Sequence, residues 1–169
     1  MTTPWAIHGR AATHDWIVGV VGDHAATVRA LEEAAGRQPR EVATLVTRAN
    51  FRELTELASW LAVHDVRRWI VTIAGATGRF ADDPRPWIPR LGMAVPHALA
   101  AVDRARRLGI EAHLRGAPTC LLGPHADWAS PCAPRRYAPR CEGCRLRSSC
   151  PGVDAWYLDR FGGGELRPP

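Results

Sequence analysis

The sequence of 169 residues contains no lysine and no long apolar run. All 22 basic residues are arginine, and the formal net charge is +5. No stretch reaches the roughly 18 to 20 apolar residues that a membrane-spanning helix requires. The first residues also lack the basic flank and apolar core of a secretory signal. We therefore expect a cytoplasmic protein without a membrane partner.

Several common catalytic signatures are missing as well. The sequence has no glycine-rich phosphate loop, no G-x-S-x-G segment and no HExxH helix, so the usual kinase and hydrolase classes are excluded. His14 and Asp15 have the chemistry of an acid/base pair, but no nucleophile stands at a recognisable spacing from them. We take His8 and His14 as structural residues of a loop. The catalytic residues, if any exist, stay unknown.

The first two thirds of the chain alternate between predicted strands and helices. Short apolar or β-branched segments predict strands near 5–7, 41–47, 69–74 and 110–114. Apolar residues at helical spacing predict helices over 25–35, from 51 onward with Asn50 as its cap, and over about 96–108. The segment between the first strand and Gly22 is expected to be a loop. Such alternation predicts an α/β fold with parallel strands.

A change in composition follows Gly116. The rest of the chain is rich in Pro, Arg, Gly and Cys, with one short helix expected near 154–161. We therefore predict a boundary that separates residues 1–116 from an irregular, cysteine-rich extension, residues 117–169. Four parallel strands are half of an eight-stranded barrel or most of a small open sheet. The first strand is so short that the chain looks as if it begins in the middle of a fold.

All five cysteines lie between Cys120 and Cys150. An odd number at short spacings in a cytoplasmic chain argues against disulfides and for a metal site. Cys141-x-x-Cys144 and Cys150 supply three thiolates, and a closed tetrahedral set needs a fourth. Cys120 and Cys132 are the candidates, and we favour Cys120 because it follows the end of a predicted strand.

The cysteine spacing alone fits a zinc ion and an iron–sulfur cluster almost equally well. Arginines surround these cysteines, and their charge would offset that of a thiolate-ligated cluster or bind an acidic partner. A solvated surface is the plainer explanation in a protein so rich in arginine, and nucleic acid is not favoured as a partner. The arginines concerned include Arg135, Arg136, Arg140, Arg145 and Arg147.

Several segments between Ile7 and Pro168 together resemble a known family. They are Ile7-His8-Gly9 with His14-Asp15-Trp16; the run from Thr44 to Asn50 before Leu54 and Leu57; Gly116 to Gly123; and a tail with Cys141-x-x-Cys144, Cys150-Pro151-Gly152, Tyr157, Phe161-Gly162, Glu165-Leu166 and Pro168. The chain resembles the C-terminal half of radical S-adenosylmethionine (radical SAM) proteins that carry an auxiliary iron–sulfur cluster in a SPASM or twitch-like extension. The tail is the most specific part.

The resemblance implies a fold, two cofactors and their ligands. Residues 1–116 would form a partial (half) TIM-like barrel of parallel strands, and residues 117–169 a cluster-binding extension. An auxiliary [4Fe-4S] cluster would be held by Cys120, Cys141, Cys144 and Cys150. SAM would be held at the ends of two strands by Thr47, Arg48, Asn50 and Gly75, with the Arg48 guanidinium on the methionyl carboxylate.

One departure from the family limits what the chain can do alone. Radical SAM enzymes bind their catalytic cluster with a C-x-x-x-C-x-x-C loop, which this sequence lacks. Without that loop we expect no SAM cleavage, so the chain's status as an enzyme is left open. Three hypotheses follow: a piece of a longer gene product in which Met1 is an internal codon, a subunit whose partner carries the N-terminal half-barrel, or a degenerate relative.

The leading expectation is an iron–sulfur protein that serves electron transfer or substrate anchoring in a radical-based modification, with a peptide as a candidate substrate. The alternative is a non-enzymatic, zinc-stabilised module that binds nucleic acid or an acidic partner. The two differ in their metal, and in the salt sensitivity expected of partner binding.

Overall fold

The computed structural model describes residues 3–169, so the hypothesis about Met1 falls outside the described residues. Five strands form one parallel sheet, in which neighbours in space are also neighbours in the sequence. The strands are β1 (Trp5–Ala6), β2 (Arg40–Val46), β3 (Val66–Ile73), β4 (Glu111–Arg115) and β5 (Ala129–Ser130). The helices are α1 (Ala11–Val18), α2 (Asp23–Glu33), α3 (Leu54–Val63), α4 (Leu91–Arg107) and α5 (Ala155–Phe161).

The prediction of an α/β fold with parallel strands is confirmed. The sheet is open, and it has five strands where the sequence indicates four. The additional strand, β5, pairs with β4 through Leu114 and Arg115. Because β5 lies after Gly116, the sheet continues into the segment that the sequence assigns to the extension.

The first predicted loop is wrong, because residues 11–18 form helix α1. Only His14 and Ile17 of this helix are buried, so its apolar face is too narrow to stand out in the sequence. The helix ends at Gly19, whose φ of 84° lies in the left-handed region that favours glycine.

Two helix starts also differ from the prediction. Helix α3 begins at Leu54 and no side chain caps it, so Asn50 is not its cap. Helix α4 begins at Leu91 and contains Pro96, which the sequence indicates as the first residue. Pro96 is on the exposed side of the helix, where its missing N–H removes one intrahelical hydrogen bond.

The two faces of the sheet have different surroundings. One face is fully buried and shares a single apolar core with α3 and α4. The opposite face is only half-buried, which is unusual for parallel sheets, since both of their faces are normally covered. We call it the open face. Its residues on the three central strands are the half-buried Ala43, Leu45, Ile70, Thr72 and His113 together with the charged Glu41, Arg68, Glu111 and Arg115.

No helix in the described part of the chain has the length and apolar character needed to cross a bilayer.

Candidate metal centre

The extension is held together by a short antiparallel pairing between residues 135–136 and 151–153. Arg136 and Val153 exchange two backbone hydrogen bonds of 3.1 and 2.8 Å, and the Arg135 N–H donates to the Pro151 carbonyl at 2.8 Å. Gly152 lies between these contacts with a φ of 71°, and a Cβ there would come within 2.5 Å of the Arg136 carbonyl oxygen. This pairing fixes the chain just after Cys150.

Four cysteines from two separate segments line one small cavity in the extension: Cys120, Cys141, Cys144 and Cys150. All four are free thiols and half-buried. Cys120 lies in a 3-10 turn, Thr119–Leu121, just after β4. A second 3-10 turn ends at Cys141, whose carbonyl accepts the Cys144 N–H at 3.2 Å, so that C-x-x-C forms a tight turn.

Two of these sulfur atoms accept backbone hydrogen bonds. The Gly152 N–H donates to Cys150 Sγ at 3.4 Å, and the Arg167 N–H donates to Cys120 Sγ at 3.4 Å. Burial raises the pKa of the Cys120 thiol, and the nearby thiols of the other three cysteines raise it further. The bond from Arg167 acts in the opposite direction, because it stabilises the thiolate.

The ionisable groups around this cavity are of few kinds. Besides the four thiols they comprise Arg136, Arg147 and the Tyr137 phenol, and no carboxylate or imidazole lines it. Its donor set is therefore purely thiol, bordered by positive charge. Cys132, the alternative fourth ligand, lines a neighbouring cavity of about 440 Å³, which it shares with Cys150.

The thiols do not stand in position around a metal ion. Among residues 3–169, no three His, Cys, Asp or Glu side chains form a group that could hold one. The cavity between the four cysteines measures only about 20 Å³, which is room for about one water molecule. Binding of a metal there would require the cysteine side chains to change rotamer, which each can do about one torsion, χ1.

Several of the arginines named from the sequence hold the extension in place. Arg135 donates to the Gly116 carbonyl, and Arg140 donates to the carbonyls of Gly163 and Gly164 at 3.0 and 2.9 Å. Arg136 pairs with Asp159 at 2.8 Å, and the Arg147 guanidinium lies 4.7 Å from the centre of the Tyr137 ring. Arg145 is exposed.

Two of the four residues predicted to hold SAM, Thr47 and Asn50, are buried and bonded to each other. Asn50 Oδ1 accepts hydrogen bonds from the Thr47 N–H at 2.7 Å and from its hydroxyl at 3.2 Å. Asn50 Nδ2 donates to the carbonyls of His8 and Leu45 at 2.6 and 2.7 Å. The hydrogen bonds of these side chains thus connect the end of β1 to the end of β2.

The other two predicted residues, Arg48 and Gly75, lie beyond the ends of β2 and β3. Arg48 is exposed, and its guanidinium makes a long contact of 3.4 Å with the Arg85 carbonyl. Gly75 faces the extension, since a Cβ there would lie 2.8 Å from Asp154 Oδ2. The structure therefore places all four residues along the carboxyl edge of the sheet, but only Thr47 and Asn50 contact each other.

The sequence did not predict that the histidines beside β1 form a cluster. His14 is fully buried; its Nδ1 accepts the His8 N–H at 3.1 Å and its Nε2 lies 2.9 Å from Asp23 Oδ2. The His8 ring stacks on it, with centroids 5.3 Å apart, and its Nδ1 accepts the Leu45 N–H at 3.1 Å. Burial, followed by the charge of His14, lowers the pKa of His8 to about 4. Only the fold brings these residues together, since no regular spacing links them.

The comparisons with known proteins do not identify this chain. No protein-family model matches the sequence, and no curated protein shows significant similarity to it.

Proposed function

We propose that the extension binds an auxiliary [4Fe-4S] cluster and that the chain is a radical-SAM-like iron–sulfur protein. The observation that carries the proposal is the convergence of four thiols, from the turn after β4 and from residues 141–150, on one cavity that no carboxylate or imidazole lines. Thiolates are the soft ligands that iron–sulfur clusters use. The proposed ligands are Cys120, Cys141, Cys144 and Cys150.

The surroundings of the thiols favour a cluster. Backbone N–H groups donate to Cys120 and Cys150, and hydrogen bonds to sulfur are a principal means by which proteins set cluster potentials. Arg136 and Arg147 border the cavity, so their charge offsets that of four thiolates. A bound cluster would supply one-electron transfer or an anchoring point for a substrate, in a radical-based modification for which a peptide is the candidate substrate.

The topology supports the second half of the proposal, a partial TIM-like barrel. Parallel strands in sequential order with one buried face are what a segment of such a barrel has. In a complete barrel the open face would line the interior. We propose that a second subunit with the missing strands and the three-cysteine loop covers it. SAM would then bind only in that assembly, where Arg48 is an exposed cation at the carboxyl edge.

Metal and sulfide analysis of protein purified without oxygen tests the cluster. We expect about four iron and four sulfide per chain with the optical and EPR spectra of a thiolate-ligated cluster. Cys120→Ser should lose most of this iron. Cys132→Ser is the matched control, because Cys132 lies outside the four-cysteine cavity, and it should retain the iron of the parent protein.

Two results would contradict the assignment. Equal iron loss in Cys120→Ser and Cys132→Ser would remove Cys120 as the specific fourth ligand. Stoichiometric zinc without sulfide would favour instead a zinc-stabilised module for nucleic acid or an acidic partner. For that module, partner binding should weaken steeply between low and moderate salt, whereas docking of an apolar half-barrel should not.

A further inference from the structure

The C-terminal tail crosses the first turn of α4, where Glu165 fixes it. One carboxylate oxygen, Oε1, accepts a hydrogen bond from Arg90 Nε at 3.0 Å, and the other accepts one from the Tyr157 hydroxyl. The Tyr157 oxygen in turn accepts the Leu91 N–H at 2.8 Å. Gly92 also lies against this carboxylate, since a Cβ there would be 3.2 Å from Glu165 Oε1. Tyr157 of α5 thus satisfies the first free N–H group of the helix and at the same time donates to the tail.

Two residues further along, the same tail reaches Cys120. Leu166 is buried in the core, and the Arg167 N–H donates to Cys120 Sγ at 3.4 Å. Cys120 also borders a cavity of about 650 Å³, which Glu165 and Arg167 line with it. The tail therefore contacts the Cys120 sulfur at the wall of a space large enough for a small molecule.

We propose that Glu165 is a positioning residue that holds the tail against Cys120. Its contacts with Arg90, Tyr157 and the start of α4 fix the tail two residues before Arg167, so that the N–H of Arg167 stays on the sulfur. Loss of the carboxylate would free the tail, remove the Arg167 N–H from the sulfur and leave Cys120 more exposed. The relevance of Glu165 to a cluster rests on the proposed function, whereas the effect of Glu165 on the Cys120 thiol does not.

Thiol labelling of the metal-free, full-length chain tests this proposal. The protein is treated with iodoacetamide over a range of pH, and the labelling rate of each cysteine is followed by peptide mass spectrometry. The limiting rate at high pH is compared, because every thiol is then ionised and the rate reports access to the sulfur and not the thiolate fraction. Glu165→Ala should raise this rate at Cys120 several-fold while Cys132, which lies outside the four-cysteine cavity, stays at its parent value. Glu165→Gln retains an acceptor for the Tyr157 hydroxyl and should restore most of the protection.

Glu142→Ala is the matched control, because Glu142 is an exposed carboxylate beside Cys141 that takes no part in the tail contacts. Its Cys120 rate should equal that of the parent. An unchanged Cys120 rate in Glu165→Ala would overturn the proposal. An equal rise at all the cysteines would overturn it too, because that pattern means general loosening of the extension.

A second measurement separates this proposal from the proposed function. After reconstitution with iron and sulfide, Glu165→Ala should have a more negative reduction potential than the parent, because a hydrogen bond to a ligand sulfur stabilises the reduced cluster. An identical potential would overturn the role of the Arg167 N–H. If no cluster forms in the parent, the proposed function fails, and the labelling rates alone decide the role of Glu165.

Discussion

Asn50 Nδ2 donates a hydrogen bond of 2.6 Å to the carbonyl oxygen of His8, which fixes the loop after β2 to the end of β1. The same buried amide also donates to the Leu45 carbonyl and accepts a hydrogen bond from the Thr47 N–H. Three backbone groups from two strands thus depend on one side chain. An asparagine suits this position because its amide carries both donors and an acceptor.

Asn50→Ala is expected to destabilise the fold by about 3 kcal/mol or more, because each buried polar group left without a partner costs about 1 to 3 kcal/mol. Urea unfolding followed by circular dichroism measures the change. Arg48→Ala, two residues away at an exposed position, should change the free energy of unfolding by no more than about 0.5 kcal/mol. Similar losses in both variants would show that the loop as a whole, and not the Asn50 amide, determines stability.

Acid should destabilise the folded protein because His8 binds a proton more readily in the unfolded chain. Its pKa is lowered to about 4 in the folded chain, mainly by burial, against 6.5 for an ordinary histidine. The unfolded state therefore binds a proton first as the pH falls, and stability declines between about pH 6.5 and 4. The shift corresponds to a loss on the order of 3 kcal/mol.

Unfolding free energies measured between pH 7 and 4 check this expectation. His8→Gln keeps an acceptor in the side chain but cannot be protonated, so its decline over this range should be shallower than that of the parent. His97→Gln, at an exposed position of α4, should reproduce the parent curve. Parallel curves for His8→Gln and the parent would mean that another group governs the acid sensitivity.

Two glycines of the extension offer a matched test of backbone crowding. Gly143 and Gly152 share a φ of 71°, but a Cβ at Gly143 meets nothing within 4 Å, whereas one at Gly152 meets the Arg136 carbonyl oxygen at 2.5 Å. Gly143→Ala should cost only the left-handed strain of about 1 to 2 kcal/mol. Gly152→Ala should cost more and displace Cys150, with a visible loss of bound metal. Equal stability and metal content in the two variants would contradict this account.

Metal binding should hold the extension in place if the cluster is present. Because a metal site couples ligand binding to folding, Cys144→Ser is expected to leave β1 to β4 and helices α1 to α4 folded while residues beyond about Gly123, which include β5, become sensitive to protease. Limited trypsin digestion with mass spectrometry of the fragments shows where cleavage occurs. An unchanged digestion pattern would remove any structural role for Cys144, and Cys132→Ser supplies the comparison at a cysteine outside the four-cysteine cavity.

The parallel α/β architecture was predictable because β2 and β3 and helices α2 and α4 contain long apolar or periodic runs. Strand β5 was not, because two residues carry no pattern and the strand exists only through pairing with β4. Asn50 could be identified as a residue that bonds to the backbone. Its partners could not, since the His8 carbonyl lies 42 positions away and reaches it only through the pairing of β1 with β2.

The candidate site was predictable in its chemistry and less so in its geometry. The spacing of Cys141, Cys144 and Cys150 indicates thiolate ligands for a metal without any fold. The choice between Cys120 and Cys132 depends on where the chain goes after β4, and the structure puts Cys120 beside the other three. The tail contact between Arg167 and Cys120 uses a backbone N–H, which every residue except proline carries, so no side-chain pattern could have indicated it.

The two edge strands of the sheet, Trp5–Ala6 and Ala129–Ser130, are each only two residues long. Unpaired strand edges normally recruit any extended chain, because main-chain hydrogen bonding is indifferent to sequence. Each of these edge strands presents few main-chain N–H and C=O groups, so a further strand that paired with it would form few hydrogen bonds. A chain that joined this sheet would therefore gain more from side-chain contacts, such as those with the half-buried Leu45 and Ile70 of the open face, than from main-chain hydrogen bonds at the edges.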